Sequence, residues 1–127
     1  MITKYRVWDT FHNKWVKHFY ITENGLIYDM GRQHRNLIGA VPIEKSGLIV
    51  MQSTGKKDCN NSDIFDADIV LEPWTGRIIG RVFYSSEDLA WKVLRVGVGE
   101  EYLSDYLDLQ VCGNIYENPD LMEEFEE

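Results

Sequence analysis

No lysine or arginine stands between Glu100 and Glu127, where ten carboxylates give a formal charge of -10. The other residues carry thirteen bases and eleven acids, or +2, and the two parts sum to -8. That polarity permits head-to-tail electrostatic contact, within one chain or between chains, and it equally suits a solvated acidic face. Cysteine is scarce. Cys59 and Cys112 do not make a disulfide framework in 127 residues, so both are expected as free thiols in a reducing compartment. Long apolar runs are missing, since none approaches the ~20 residues of a membrane-spanning helix. Met1 to Trp8 lacks the apolar core of a signal peptide. These absences lead us to expect a cytoplasmic protein with no membrane partner. Asn60-Asn61-Ser62 matches a glycosylation acceptor, a match without meaning in the absence of a secretory signal.

What is present argues against global disorder: 44% of residues are hydrophobic and 13% aromatic. The first third reads as short strands with turns. Tyr5 to Trp8 and Trp15 to Ile21 are β-prone, with a turn at Asn13-Lys14. Asn24-Gly25 is the strongest hairpin signal and separates Trp15–Ile21 from Leu26–Met30. Gly31 to Asn36 reads as loop or helical turn, and Gly39 and Pro42 make Leu37–Ile43 a poor regular element. A short strand at Leu48–Gln52 precedes a polar stretch, Ser53 to Asp63, expected as surface loop. Strands follow at Asp68–Leu71, Arg77–Tyr84 and Ala90–Val96, with turns at Thr75-Gly76 and Gly97-Val98-Gly99. Leu107, Leu109 and Val111 alternate with Asp108 and Gln110, the pattern of a strand with one wet face. Finally the period changes. Asn118-Pro119 predicts a helix start, and Leu121 and Phe125 share a helical face with Met122 beside them. So short a helix is marginal alone and must dock on its own sheet or on a neighbouring subunit.

Chemical motifs fail one by one. Gly97-Val98-Gly99 lacks a third glycine and is followed by Glu100 and Glu101, where an anion would sit. Gly55-Lys56 lacks the earlier glycine and the following hydroxyl of a triphosphate loop. Asp58, Asn60 and Ser62 have calcium-loop spacing, but Asp63 replaces the glycine and Ile69 the terminal glutamate. His12, His18 and His34 have no shared metal-ligand spacing. Cys59 has only Lys56 and Lys57 nearby to activate a thiol. Asp63, Asp66 and Asp68 form a carboxylate cluster. It fits acid–base or divalent-metal work, or, with Asp66 and Asp68 on one side of an opening strand, simple turn hydrogen bonds. No catalytic, metal or cofactor-binding residue is assigned.

Two contact surfaces remain. Leu121, Met122 and Phe125 are the candidate partner or oligomer contact. Alternatively, Lys4, Arg6, Lys17, Arg32 and Arg35, interleaved with Tyr5, Trp8, Trp15, Phe19 and Tyr20, suit a nucleic-acid contact by phosphate pairing and base stacking. The acidic overall charge opposes that second use.

Three segments resemble the YopX family of phage and prophage proteins. Lys4-Tyr5-Arg6-Val7-Trp8-Asp9 is similar to its opening Arg-x-Trp-Asp. Met51 to Asp58, followed by Ile64 to Val70, resembles its Gln-x-Thr-Gly-x-x-Asp stretch and Gly-Asp-Ile-Val turn, with Ala67 standing for the glycine. Gly113-Asn114-Ile115-Tyr116-Glu117-Asn118-Pro119 is similar to its most specific signature. The resemblance implies a phage or prophage origin, a bacterial host cell, a β-rich fold with a barrel-like C-terminal part and homo-oligomers. It transfers no catalytic residue. It also implies fold roles: Gly55 and Gly113 for backbone freedom, Asp68 for a turn, Asn118 and Pro119 for a helix cap.

The expected fold is α+β, mostly β. An N-terminal strand-rich lobe occupies 1–50, a small SH3-like barrel 51–116, and a short acidic helix 117–127. The expected function is that of a non-enzymatic accessory protein that self-assembles and binds an unknown host or phage protein. The alternative is a nucleic-acid-binding regulator.

Overall fold

The computed structural model describes residues 3–29, 41–43 and 46–123. Two compact units divide the chain: Tyr5–Met51 forms one, and Met1–Lys4 with Gln52–Glu127 forms the other. Both are mostly β.

In the Tyr5–Met51 unit, β1 (Tyr5–Asp9) pairs antiparallel with β2 (Lys14–Val16), matching Val7 to Val16 and Trp8 to Trp15. The turn between them closes on Asp9, whose fully buried carboxylate accepts the N–H groups of Phe11 (2.9 Å) and His12 (3.3 Å). Asn13 takes the positive φ, +51°, that the turn requires. The expected single strand Trp15–Ile21 is broken at Lys17-His18, so β3 (Phe19–Ile21) belongs to a different sheet, of order β3-β4-β5. Its partners are β4 (Leu26–Asp29) and β5 (Val41–Pro42). The Asn24-Gly25 hairpin forms as expected, with Gly25 at φ +80° and Thr22 N–H bonded to Leu26 C=O at 2.9 Å. Val7, Val16, Ile27 and Leu48 make this unit's core, with Phe19 and Ile21 against it. The reading of Gly31–Asn36 lies outside the described residues.

β6 (Leu48–Lys57) corrects the sequence reading. The polar run expected as loop continues the strand to Lys57 and pairs with β7 (Asp63–Phe65) through Ser53↔Phe65 and Lys57↔Asp63. Small hydroxyl residues serve here because Ser53 is itself buried, exchanging bonds with Lys4: its N–H donates to Lys4 C=O (2.8 Å) and its Oγ accepts Lys4 N–H (3.0 Å). Gly55, at φ +87°, lies where the register shifts.

The rest of this unit is a five-stranded antiparallel sheet of order β11-β10-β9-β8-β12. It contains β8 (Asp68–Leu71), β9 (Ile78–Ser85), β10 (Ala90–Arg95), β11 (Gly99–Tyr102) and β12 (Gln110–Asn114). A 3-10 turn, Leu103–Asp105, joins β11 to β12. Ile64, Val70, Ile79, Val82, Val93, Leu103 and Leu109 form the core. Gly80 is obligatory where β9 meets β10, because a Cβ there would lie 2.0 Å from the Leu94 carbonyl oxygen.

The period-two pattern at Leu107–Val111 misplaces β12. The strand begins only at Gln110, and Leu107 is 93% exposed while Leu109 is buried in the core. The terminal helix α1 is a single turn, Asp120–Glu123. Ahead of it, Asn118 Oδ1 accepts Asn114 N–H at 3.2 Å and Asn118 C=O accepts Leu121 N–H at 3.1 Å.

Candidate functional site

The residues singled out by sequence fall into fixed local networks. Asp58 Oδ1 accepts the N–H groups of Asn60 and Ser62, both at 2.9 Å, and Oδ2 that of Val111 at 3.1 Å. A carboxylate committed to three backbone donors shapes a loop and fastens it to β12. Asp68, also buried, accepts Phe65 N–H through Oδ2 at 2.7 Å, the turn role that the resemblance implied. Asp66 and Asp68 do not alternate along one strand as expected, because Ala67 between them adopts φ +74°. Ala67 thus takes the left-handed turn that the family fills with glycine. Its N–H donates to Val82 C=O (2.9 Å), its C=O accepts Ile115 N–H (3.1 Å), and Asp66 N–H donates to Gln52 C=O (2.9 Å).

Asp63 is held between two lysines, Lys57 Nζ at 2.7 Å and Lys4 Nζ at 3.0 Å. Lys57 first and Lys4 second hold its carboxyl below the usual value. The three aspartates therefore do not converge on one point. No group of His, Cys, Asp or Glu among the described residues could hold a metal.

The Gly113–Pro119 signature is a knot. Asn114 Oδ1 accepts Tyr116 and Glu117 N–H (3.0 and 2.9 Å), and Asn114 Nδ2 donates to Glu117 Oε1 (2.9 Å). Gly113 serves space rather than positive φ, since a Cβ would lie 2.4 Å from Asn118 Oδ1 and 3.1 Å from Leu121 Cδ1. Leu121 is thereby half-buried over β12. Met122 contributes its backbone to α1, and Phe125 lies outside the described residues.

On β10 and β11, Lys92 bonds Asp88 and Glu100 (3.3 Å to Oε1) and lies 4.9 Å from the Tyr102 ring centroid. The bond to Asp88 raises the lysine pKa and lowers that of the aspartate. Glu101 accepts Tyr106 Oη–H and Arg95 Nη1–H (3.2 Å), which keep it ionised to lower pH. Burial, then the bond to Glu101, pushes Tyr106 up to about 12.

Only part of the basic and aromatic set of the N-terminal lobe falls among the described residues. Lys4 is paired with Asp63, and the Arg6 guanidinium lies 4.8 Å from the Trp15 ring centroid. Trp8 is buried edge-on against Trp15, with centroids 5.0 Å apart. Lys17 is exposed, while Arg32 and Arg35 lie outside the described residues. Sequence reasoning missed Tyr28, which sits directly opposite Tyr20 on the outward face of β3 and β4. The register is centred on Asn24, within a three-residue loop closed by Thr22 and Leu26, and a two-residue Asn24-Gly25 turn would instead set Tyr20 opposite Asp29. Sequence reasoning also missed Trp74 and Val98, exposed at turn tips without any periodic pattern to mark them.

The YopX protein family model matches residues 4–123. The chain belongs to the YopX family. Its fold is similar to that of the crystal structure of protein EF1440 from Enterococcus faecalis, at 24% identity and a TM-score of 0.62, covering 97% of this chain and 99% of that one. It is also similar to the crystal structure of YopX from Bacillus subtilis, at 19% identity and a TM-score of 0.53, covering 94% and 97%. No curated protein matches it. No helix among the described residues is long and apolar enough to cross a membrane. In this YopX-family chain the signature residues are thus the ones that tie the turns to the sheet.

Proposed function

We propose that this chain is a non-enzymatic phage or prophage accessory protein that self-assembles and binds a host or phage protein in the bacterial cytoplasm. One observation carries the reading. β8 and β10 run in the same direction, so the turns that follow them lie at one end of the sheet. Trp74 and Val98, 69% and 64% exposed, occupy those turns. Leu107 precedes β12, whose first residue, Gln110, pairs with Leu71 at that same end. Three large apolar side chains left in water at one end of a sheet favour association over solvation. The connectivity supports a scaffold role as well: a four-strand meander, a 3-10 turn and a fifth strand returning beside the first are compatible with a small SH3-like barrel. We read 51–116 as that barrel and 117–127 as its acidic appendage, and keep Leu121, Met122 and Phe125 as a second candidate contact.

Light scattering tests the reading. The full chain is expected at a multiple of the monomer mass. The pair Trp74→Asp and Leu107→Asp should reduce it to a monomer with an unchanged thermal transition. Removing residues 122–127 tests Met122 and Phe125 while leaving the Asn114–Asn118 bonds in place. A monomeric wild-type chain would sink self-assembly.

A further inference from the structure

We propose that Arg81 on β9 is a carboxylate receptor, filled by Glu124, Glu126 or Glu127 of the same chain, which ties the acidic segment after α1 across the sheet face opposite the core. Val70, Val82 and Val93 face the core, so Arg81 and Leu94, which alternate with them, face the other way. Gly113, Ile69, Arg81 and Leu94 stand in one cross-strand row over β12, β8, β9 and β10. Leu121 sits on that same face, because its Cδ1 would lie 3.1 Å from a Cβ built on Gly113. The Arg81 side chain is half-buried, and its Nε is buried with no acceptor among the described residues. A buried guanidinium N–H calls for an acceptor, and a carboxylate matches its fork.

Reach and charge choose the occupant. Arg81 lies two strand spacings from Gly113, or about 10 Å. An extended chain advances ~3.3–3.6 Å per residue, so the three steps from Glu123, the end of α1, to Glu126 cover that span. Asp120 to Glu127 holds five carboxylates and no base. The carboxylates nearer to Arg81 have other partners. Glu117 accepts Asn114 Nδ2–H at 2.9 Å, and Glu100, opposite Leu94, accepts Lys92 Nζ–H at 3.3 Å. Burial and then Asp66 raise the Tyr116 hydroxyl while Arg81 lowers it, so these groups are neighbours, yet Asp66 does not accept the Nε hydrogen. The contact lies on a sheet face, away from the apolar turns at the sheet end, and does not rest on self-assembly.

Amide hydrogen exchange at Leu121, whose N–H is bonded to Asn118 C=O at 3.1 Å, reports the contact in the full chain. Arg81→Gln should speed that exchange roughly threefold to tenfold, between the worth of an exposed ion pair and that of an interior charge-assisted bond. Glu124→Gln, Glu126→Gln and Glu127→Gln together should give the same acceleration, and adding Arg81→Gln to them should change nothing further, because the contact is already lost. The reversed pair, Arg81→Glu with Lys at those three positions, should restore wild-type exchange. The three-glutamine variant alters no sheet residue, so it decides the matter even where Arg81→Gln fails to fold. Accelerations that add, or glutamine variants that exchange like wild type, would overturn the proposal. Protection that falls on dilution would also overturn it, by assigning the carboxylate to a second copy. A monomeric scattering mass, which sinks self-assembly, leaves this contact standing.

Discussion

The two units use glycine in different ways. In Tyr5–Met51, the tight contacts are with side chains at the rim. A Cβ added at Gly47 would meet the exposed Phe11 ring, at 2.2 Å from Cε2, and that ring can swing aside. In the other unit, a Cβ at Gly80 would meet the backbone of Leu94, which cannot move without opening the β9–β10 ladder. The five-stranded sheet is therefore the less forgiving unit, and it carries the acidic charge.

Substitutions at glycine sharpen this contrast most. Gly80→Val should cost more than ~3 kcal/mol, the upper range for overpacking, and abolish cooperative unfolding in a thermal melt. Gly47→Ala should cost only about 1 kcal/mol for its positive φ. Leu109→Ala should lose ~2–5 kcal/mol in a urea titration, and Leu107→Ala less than ~0.5 kcal/mol. Equal effects would mean that the strand starts at Leu107 after all. Asn114→Ala strips the one oxygen that accepts the N–H groups of Tyr116 and Glu117 in the signature knot and should cost roughly 1–3 kcal/mol.

The smallest effect is one of pH. Asp63, Asp88 and Glu101 all have carboxyl pKa values lowered in the folded state, and all lie in the acidic unit. Their contribution is present above the unfolded carboxylate range of about 4 and is lost as pH falls through the lower folded values. Stability should therefore decline on acidification below about pH 4. Asp63→Asn should flatten that decline in acid-titration melts, and an unchanged slope would remove Asp63 from the account.

Elements whose partners are close in sequence were legible from residue pattern and turn chemistry. The β3–β4 hairpin followed from Asn24-Gly25, and β8, β9 and β10 from apolar runs bounded by Pro73, Thr75-Gly76 and Gly97. The misses share a long-range cause. β6 continues through Ser53 because Lys4 completes its bonds. β11 was invisible because Glu100 and Glu101 are poor strand formers until Lys92, Arg95 and Tyr106 neutralise them. The pairing of Lys4 has the same cause: nothing local shows that it has a carboxylate partner in Asp63. The Tyr20–Tyr28 pair was not recoverable from Asn24-Gly25 alone, because a two-residue turn there sets a register one residue away from the observed one.

The turn at Asp66-Ala67 has a practical side. Two residues there reach three separate segments, through Gln52, Val82 and Ile115. An epitope tag or fluorophore loop spliced at that point would cut three attachments at once. At the Asn24-Gly25 tip one bond leaves the hairpin, Ile43 N–H to Gly25 C=O at 3.2 Å, and a Cβ at Gly25 would meet nothing within 4 Å, so such cargo costs less there.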